Sequence, residues 1–104
     1  MSVLHSAFFG DAEYQFKLSF AMTTELETKT SLPAAVLFAR IFNRQFAITD
    51  LHELIRCALI GGGTAPKRAS ELIATYAVDR PLTEIYPLAE RIAEIAWLGS
   101  PNEN

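Results

Sequence analysis

Three consecutive glycines, Gly61-Gly62-Gly63, separate the apolar run Leu51 to Ile60 from the segment Thr64-Ala65-Pro66-Lys67-Arg68-Ala69-Ser70-Glu71-Leu72. Placed directly after a helical apolar stripe, they supply a residue able to take positive φ at a helix end, with slack for reversing direction. The expectation is a sharp helix-to-helix corner, with Gly61 and Gly62 intolerant of β-branched residues because of that positive φ. Glycines ahead of a helix carrying Lys67 also invite a phosphate-binding reading. The spacing does not fit it, because there is no Gly-Lys step, no GxGxxG and no strand before the glycines.

On either side of the corner the chain reads as amphipathic helices. Leu51, Leu54, Ile55, Ala58 and Leu59 repeat at i, i+3, i+4, i+7 and i+8, with Thr49 or Asp50 as the cap. After the glycines, Thr64 is placed to cap and Pro66 suits a first turn, so Ala69, Leu72, Ile73 and Tyr76 line one face up to about Val78. Asp79-Arg80-Pro81 breaks that helix, and Pro81 opens the last one. Ile85, Leu88, Ala89, Ile92, Ile95 and Ala96 form its stripe, and Gly99-Ser100-Pro101 ends it. Pro87 falls inside the pattern, so either the helix kinks there or a short Leu82 to Tyr86 turn precedes a helix starting near Pro87.

Earlier in the chain, Ser19 caps a short helix to about Thr28 in which Met22 and Leu26 share a face while Glu25 and Glu27 stay solvated. Ser31 caps another start, with Pro33 in its first turn and Ala34, Leu37, Phe38, Ile41 and Phe42 as a buried stripe ending near Asn43 or Arg44. The N-terminal segment has period two instead. Leu4 to Phe9 and Ala12 to Leu18 flank Gly10-Asp11, and Tyr14, Phe16 and Leu18 alternate with Glu13, Gln15 and Lys17. That pattern predicts a β-hairpin with a two-residue II′ or I′ turn, its apolar face packed on helices or its edge paired with another chain.

The fold class expected is therefore α+β, mostly α: an N-terminal hairpin followed by a compact bundle of four to five short helices. With 104 residues it forms a single domain, residues 1–18 being the hairpin, 19–99 the bundle and 100–104 a flexible tail. Half the residues are hydrophobic and a fifth charged, which leaves apolar surface for a partner. A net charge of −3 argues against broad attraction to nucleic acid or anionic lipid. Cys57 stands alone, no apolar run spans a bilayer and the start lacks a signal peptide, so the expected location is cytoplasmic with no membrane association.

Chemical constellations are scarce. His5, His52 and Cys57 do not share a face, so a metal site gives way to a surface histidine and a buried thiol. No serine or cysteine has a nucleophile context with a visible base, and the chain is expected to be neither an enzyme nor a cofactor binder. A helix-turn-helix reading would put Lys67-Arg68 at the start of a recognition helix, but the acidic total and the absence of Lys or Arg from Leu72 to Val78 leave it little affinity for DNA. On the last helix, Tyr86, Ala93 and Trp97 fall away from the Ile85, Ile92 and Ile95 stripe. Tyr86 and Trp97 are therefore the candidate partner-binding residues, against the simpler reading that they close the core over the hairpin.

Leu59-Ile60-Gly61-Gly62-Gly63, then Ala69, Leu72 and Tyr76, Asp79-Arg80-Pro81-Leu82, Leu88-Ala89-Glu90 and Leu98-Gly99, resemble in order and spacing the small tail-assembly proteins of phages and gene transfer agents. The hairpin followed by Leu26-Glu27 is similar to that family's opening, so the likeness covers nearly the whole chain. The resemblance implies a tail-assembly chaperone acting between the tail tube protein and the tape-measure protein; covering a long apolar helical chain would in turn call for apolar grooves between helices and a tendency to multimerise, which allows a homo-oligomer. A structural component retained in the particle shares the same context. It carries over no catalytic or ligand-binding motif, only Gly61, Gly62, Gly63 and Pro81 as architectural turn positions.

Overall fold

The computed structural model describes residues 4–99; residues 100–104, expected as a tail, and the Ser100-Pro101 part of the expected stop lie outside the described residues. The strands β1 (Leu4–Phe9) and β2 (Ala12–Lys17) are followed by helices α1 (Phe20–Thr30), α2 (Ala34–Phe42), α3 (Ile48–Gly61), α4 (Pro66–Tyr76) and α5 (Leu82–Leu98). The strands pair antiparallel, from Leu4 opposite Lys17 to Phe9 opposite Ala12. Gly10 has φ +70° while Asp11 is not in the positive region, the pattern of a II′ turn.

Alternation sets the hairpin's two faces. Phe9, Phe16 and Leu18 are buried, with Ala7 and Tyr14 partly so, while Phe8, Glu13, Gln15 and Lys17 face outward. Phe9 meets Phe16 edge-on at 6.2 Å and Tyr76 at 6.3 Å, which seats the hairpin on α4. Tyr14 donates its hydroxyl to Asp11 at 2.6 Å, and Arg68 at the start of α4 pairs with the same carboxylate. The tip is thus clasped to α4.

The central helix is α3, which packs on α1, β2, α4 and α5. Its stripe of Leu51, Leu54, Ile55, Ala58 and Leu59 is wholly buried, and Cys57 joins it. The same core takes in Leu26 of α1, Leu37 and Ile41 of α2, Ala69 and Leu72 of α4, and Ile85, Ala89, Ile92 and Ala93 of α5. Most helix starts differ from the expected caps. Ser19 does accept from the Met22 amide, but α2, α3, α4 and α5 begin after Pro33, Ala47, Ala65 and Pro81, none with a capping side-chain bond of its own. Ser31 instead closes α1 in the left-handed region, and Glu27 reaches across the turn to accept from the Ala34 amide at 2.7 Å. Glu27, expected to be solvated, is the cap of α2.

The glycine corner exists, for a different reason at each position. Gly63 donates to the Ile60 carbonyl and Thr64 to that of Leu59, a Schellman closure with Gly63 at φ +115°. Gly62 has φ −83° and Gly61 lies within α3, so neither needs the left-handed region. Their constraint is proximity. A Cβ on Gly61 would lie 1.9 Å from the Lys17 carbonyl oxygen, and one on Gly62 would lie 1.9 Å from that of Gln15. The end of α3 thus presses bare backbone against the outer edge of β2. Pro87 sits inside an uninterrupted α5, so no separate turn precedes that helix.

Candidate functional site

Along the seam where α2 packs on α5, the chain leaves large apolar side chains in solvent. Trp97 is 61% exposed, Leu82 45% and Phe42 38%. Phe42 corrects the expected buried stripe of α2: Leu37, Phe38 and Ile41 take the core, and Phe42 turns outward. Ala93 corrects the opposite way. Expected beside Tyr86 and Trp97, it is fully buried, so the exposed face of α5 is narrower than its sequence pattern suggests.

Two depressions lie along this seam. One, of about 230 Å³, is walled by Ala35, Phe38, Ala39, Phe42 and Trp97. The other, of about 450 Å³, is lined by Arg44, Phe46, Leu82, Thr83, Tyr86 and Pro87. Both are mainly apolar, and the second carries a cation on its rim. Tyr86 and Trp97 are therefore spread along one seam with different surroundings. Trp97 projects at one depression, whereas Tyr86 is half-buried in the other and serves the fold as well.

Tyr86 donates its hydroxyl to the Ile41 carbonyl at 2.7 Å and lies 3.2 Å from Glu90, fastening α5 to the end of α2. Its ring stacks on Phe46 at 5.6 Å with planes 13° apart, and the Arg44 guanidinium lies 5.5 Å from its centroid. Arg44 reaches that place through an unusual backbone. It occupies φ +57° just after α2, where Gln45 donates to the Arg40 carbonyl and Arg44 to that of Ile41. Glycine is the usual occupant of such a position, and arginine there holds strain of about 1 kcal/mol. Pro87 has no N–H to offer the Thr83 carbonyl one turn back, and both residues line the same depression. Arg44, Phe46, Leu82 and Thr83 were not expected from the sequence. Phe46, a lone aromatic beyond the end of a helical stripe, was the signal available.

The remaining candidates do not form a site. His5 is partly buried, and burial, helped by Arg91, holds its pKa below the usual value. His52, expected on the surface, has a buried Nε2 without a hydrogen-bond partner. Cys57 is buried, and that burial pushes its thiol up to about 11, so it is a poor nucleophile at neutral pH. No group of three or more His, Cys, Asp or Glu able to hold a metal occurs among the described residues. Arg68, which a DNA-binding reading would aim at phosphate, is already paired with Asp11. No helix among the described residues is long and apolar enough to cross a membrane.

Comparison with known families gives a match over nearly the whole chain. A family model described as phage tail tube protein, GTA-gp10, covers residues 3–99, and so every described residue. No curated protein and no solved structure matches the chain.

Proposed function

The chain belongs to the phage tail tube protein family GTA-gp10, and we propose that it works in building a phage-like tail as a non-catalytic structural component. The α2–α5 seam is the contact surface for other tail proteins. The family description favours a structural part over a purely transient helper. The observation that carries the surface is Trp97, an aromatic 61% exposed over an apolar depression. Tryptophans in such settings are frequent anchors of protein interfaces, because they offer large contact area with few rotors.

A second reading is a chaperone that covers an apolar helix of the tape-measure protein and then leaves. The shape of the seam favours it, since two apolar depressions between helices suit anchors projecting from a partner helix. In either role the tail tube and tape-measure proteins are the expected partners. Nucleic acid is not, because Arg68 is occupied and net charge is −3.

Mass spectrometry of purified particles separates the two roles: a structural component is present in fixed proportion to the tube protein, and a chaperone is lost. Trp97 is the chain's only tryptophan, so its emission reports directly on the surface when purified tube or tape-measure protein is added. A blue shift on binding, with binding lost in a folded Trp97→Ala variant, is the expected result. Normal tail yield from Trp97→Ala particles overturns the assignment of the seam.

A further inference from the structure

The two edges of the hairpin are treated differently. A two-residue turn makes Phe9 and Ala12 the closing bonded pair, so Ala7 and Tyr14, and His5 and Phe16, bond within the hairpin. The backbone groups of Glu13, Gln15 and Lys17 then point to one outer edge, and those of Ser6 and Phe8 to the other. The β2 edge is covered at Gln15 and Lys17 by Gly62 and Gly61 at the end of α3. On the β1 edge, Ser6 and Phe8 have no hydrogen-bond partner for their outward amides and carbonyls.

Exposed edges are ordinarily guarded by a charge, a proline or a bulge. The strand Leu-His-Ser-Ala-Phe-Phe has no proline and no lysine, arginine or carboxylate, and it pairs with β2 without a bulge. Phe8 stands 70% exposed on the face away from the helices. We propose that this edge is a self-association surface: two copies of the chain join antiparallel along β1, about a two-fold axis at Ala7, into a four-stranded sheet ordered β2–β1–β1–β2.

A second copy is the occupant because the edge complements itself. With Ala7 opposite the partner's Ala7, Ser6 falls opposite the partner's Phe8 and Phe8 opposite the partner's Ser6. Both pairs exchange N–H···O=C bonds, so the four residues with open backbone groups satisfy one another. Ala7 occupies the close, non-bonded position at the axis, where small side chains are needed because its face already rests on the core. On the outer face each Phe8 ring covers a serine of the other copy. The strand itself brings no lysine, arginine or carboxylate to the pairing, so it has nothing of its own with which to select a charged partner strand.

Sedimentation equilibrium of the purified chain tests this. The wild type is expected to be dimeric at micromolar to sub-millimolar concentration. Ser6→Pro removes only an outward amide, and Phe8→Lys puts a charge on the edge; each is expected to weaken the dimer by about tenfold or more while circular dichroism stays unchanged. Should the proline disturb the strand, Ala7→Cys gives an independent measure. The two cysteines at the axis are expected to form an intersubunit disulfide on mild oxidation, with Cys57 buried out of reach. A wild-type chain still monomeric at about 0.5 mM overturns the proposal, whether or not another protein's strand fills the edge. So does a dimer that neither edge substitution weakens and that Ala7→Cys fails to cross-link. Neither result bears on Trp97, so this surface and the α2–α5 seam fail separately.

Discussion

Gly62 lies so close to Gln15 that a Cβ on the glycine would stand 1.9 Å from the Gln15 carbonyl oxygen. Backbone cannot yield as a flexible side chain can, so the contact admits no side chain. Gly63, the corner residue with positive φ, has nothing within 4 Å of the same point. Gly62→Ala is therefore expected to lower stability by about 3 kcal/mol, as severe overpacking does, and Gly63→Ala by only about 1 kcal/mol of backbone strain. Urea unfolding of the two variants checks the order. If Gly63→Ala is the worse, the corner is governed by φ and not by the approach to β2.

Arg44 makes a prediction in which the smaller side chain is the safer one. Arg44→Ala keeps the left-handed strain and loses the guanidinium, whereas Arg44→Gly loses the guanidinium and the strain together. The glycine variant is expected to be the more stable of the two by about 1 kcal/mol. Both remove the cation beside Tyr86, so both are expected to weaken a partner that engages this depression. Thermal melts and binding titrations of the pair separate the residue's structural cost from its use.

Glu27 caps a helix to which it does not belong. Glu27→Ala strips the Ala34 amide of its acceptor, with an expected loss of about 1 kcal/mol, while Glu27→Gln retains an oxygen and loses less. Amide exchange at Ala34 gives the local readout: faster exchange in the alanine variant than in the glutamine variant is expected. Equal rates in both variants and the wild type would remove the cap.

The buried thiol gives the chain an alkaline liability. Folding raises the pKa of Cys57 from about 9 to about 11, so the native state holds its proton more tightly than the unfolded chain does. That contribution is complete below pH 9 and is lost as pH rises from 9 through 11. Stability measured across this range should fall more steeply for wild type than for Cys57→Ala. At pH 8 the native thiol should react with Ellman's reagent only as fast as the protein opens. Parallel alkaline profiles for wild type and variant would contradict the shift.

Much of this fold could be read from one sequence because its elements announce themselves in period. Tyr14, Phe16 and Leu18 alternate, Leu51 to Leu59 repeat at helical spacing, and Gly10, Pro66 and Gly99 punctuate as their backbone chemistry requires. What was not legible depends on contacts between distant segments. Nothing local says that Gly61 and Gly62 must meet a strand some 45 residues earlier, or that Glu27 will serve the next helix. Phe42 and Ala93 exchanged expected environments because the packing of distant elements, α2 on α5 among them, and not the apolar pattern of either helix, decides which side of each stripe is covered. Of the candidate site, Tyr86 and Trp97 could be picked out as amphipathic aromatics. Arg44 could not, since its position after α2 is one that sequence rules reserve for glycine.

The seal that α3 places on β2 has a consequence for how far assembly through the sheet can go. A hairpin open on both sides would have a valence of two and could add copies without limit, as fibrils do. With one side closed by Gly61 and Gly62, the valence is one. A second copy that docks on β1 ends the series, because its own β2 edge is sealed in the same way, so the neutral edge that invites pairing cannot by itself propagate it. A member of a tail protein family can thereby carry an adhesive strand without becoming a polymer.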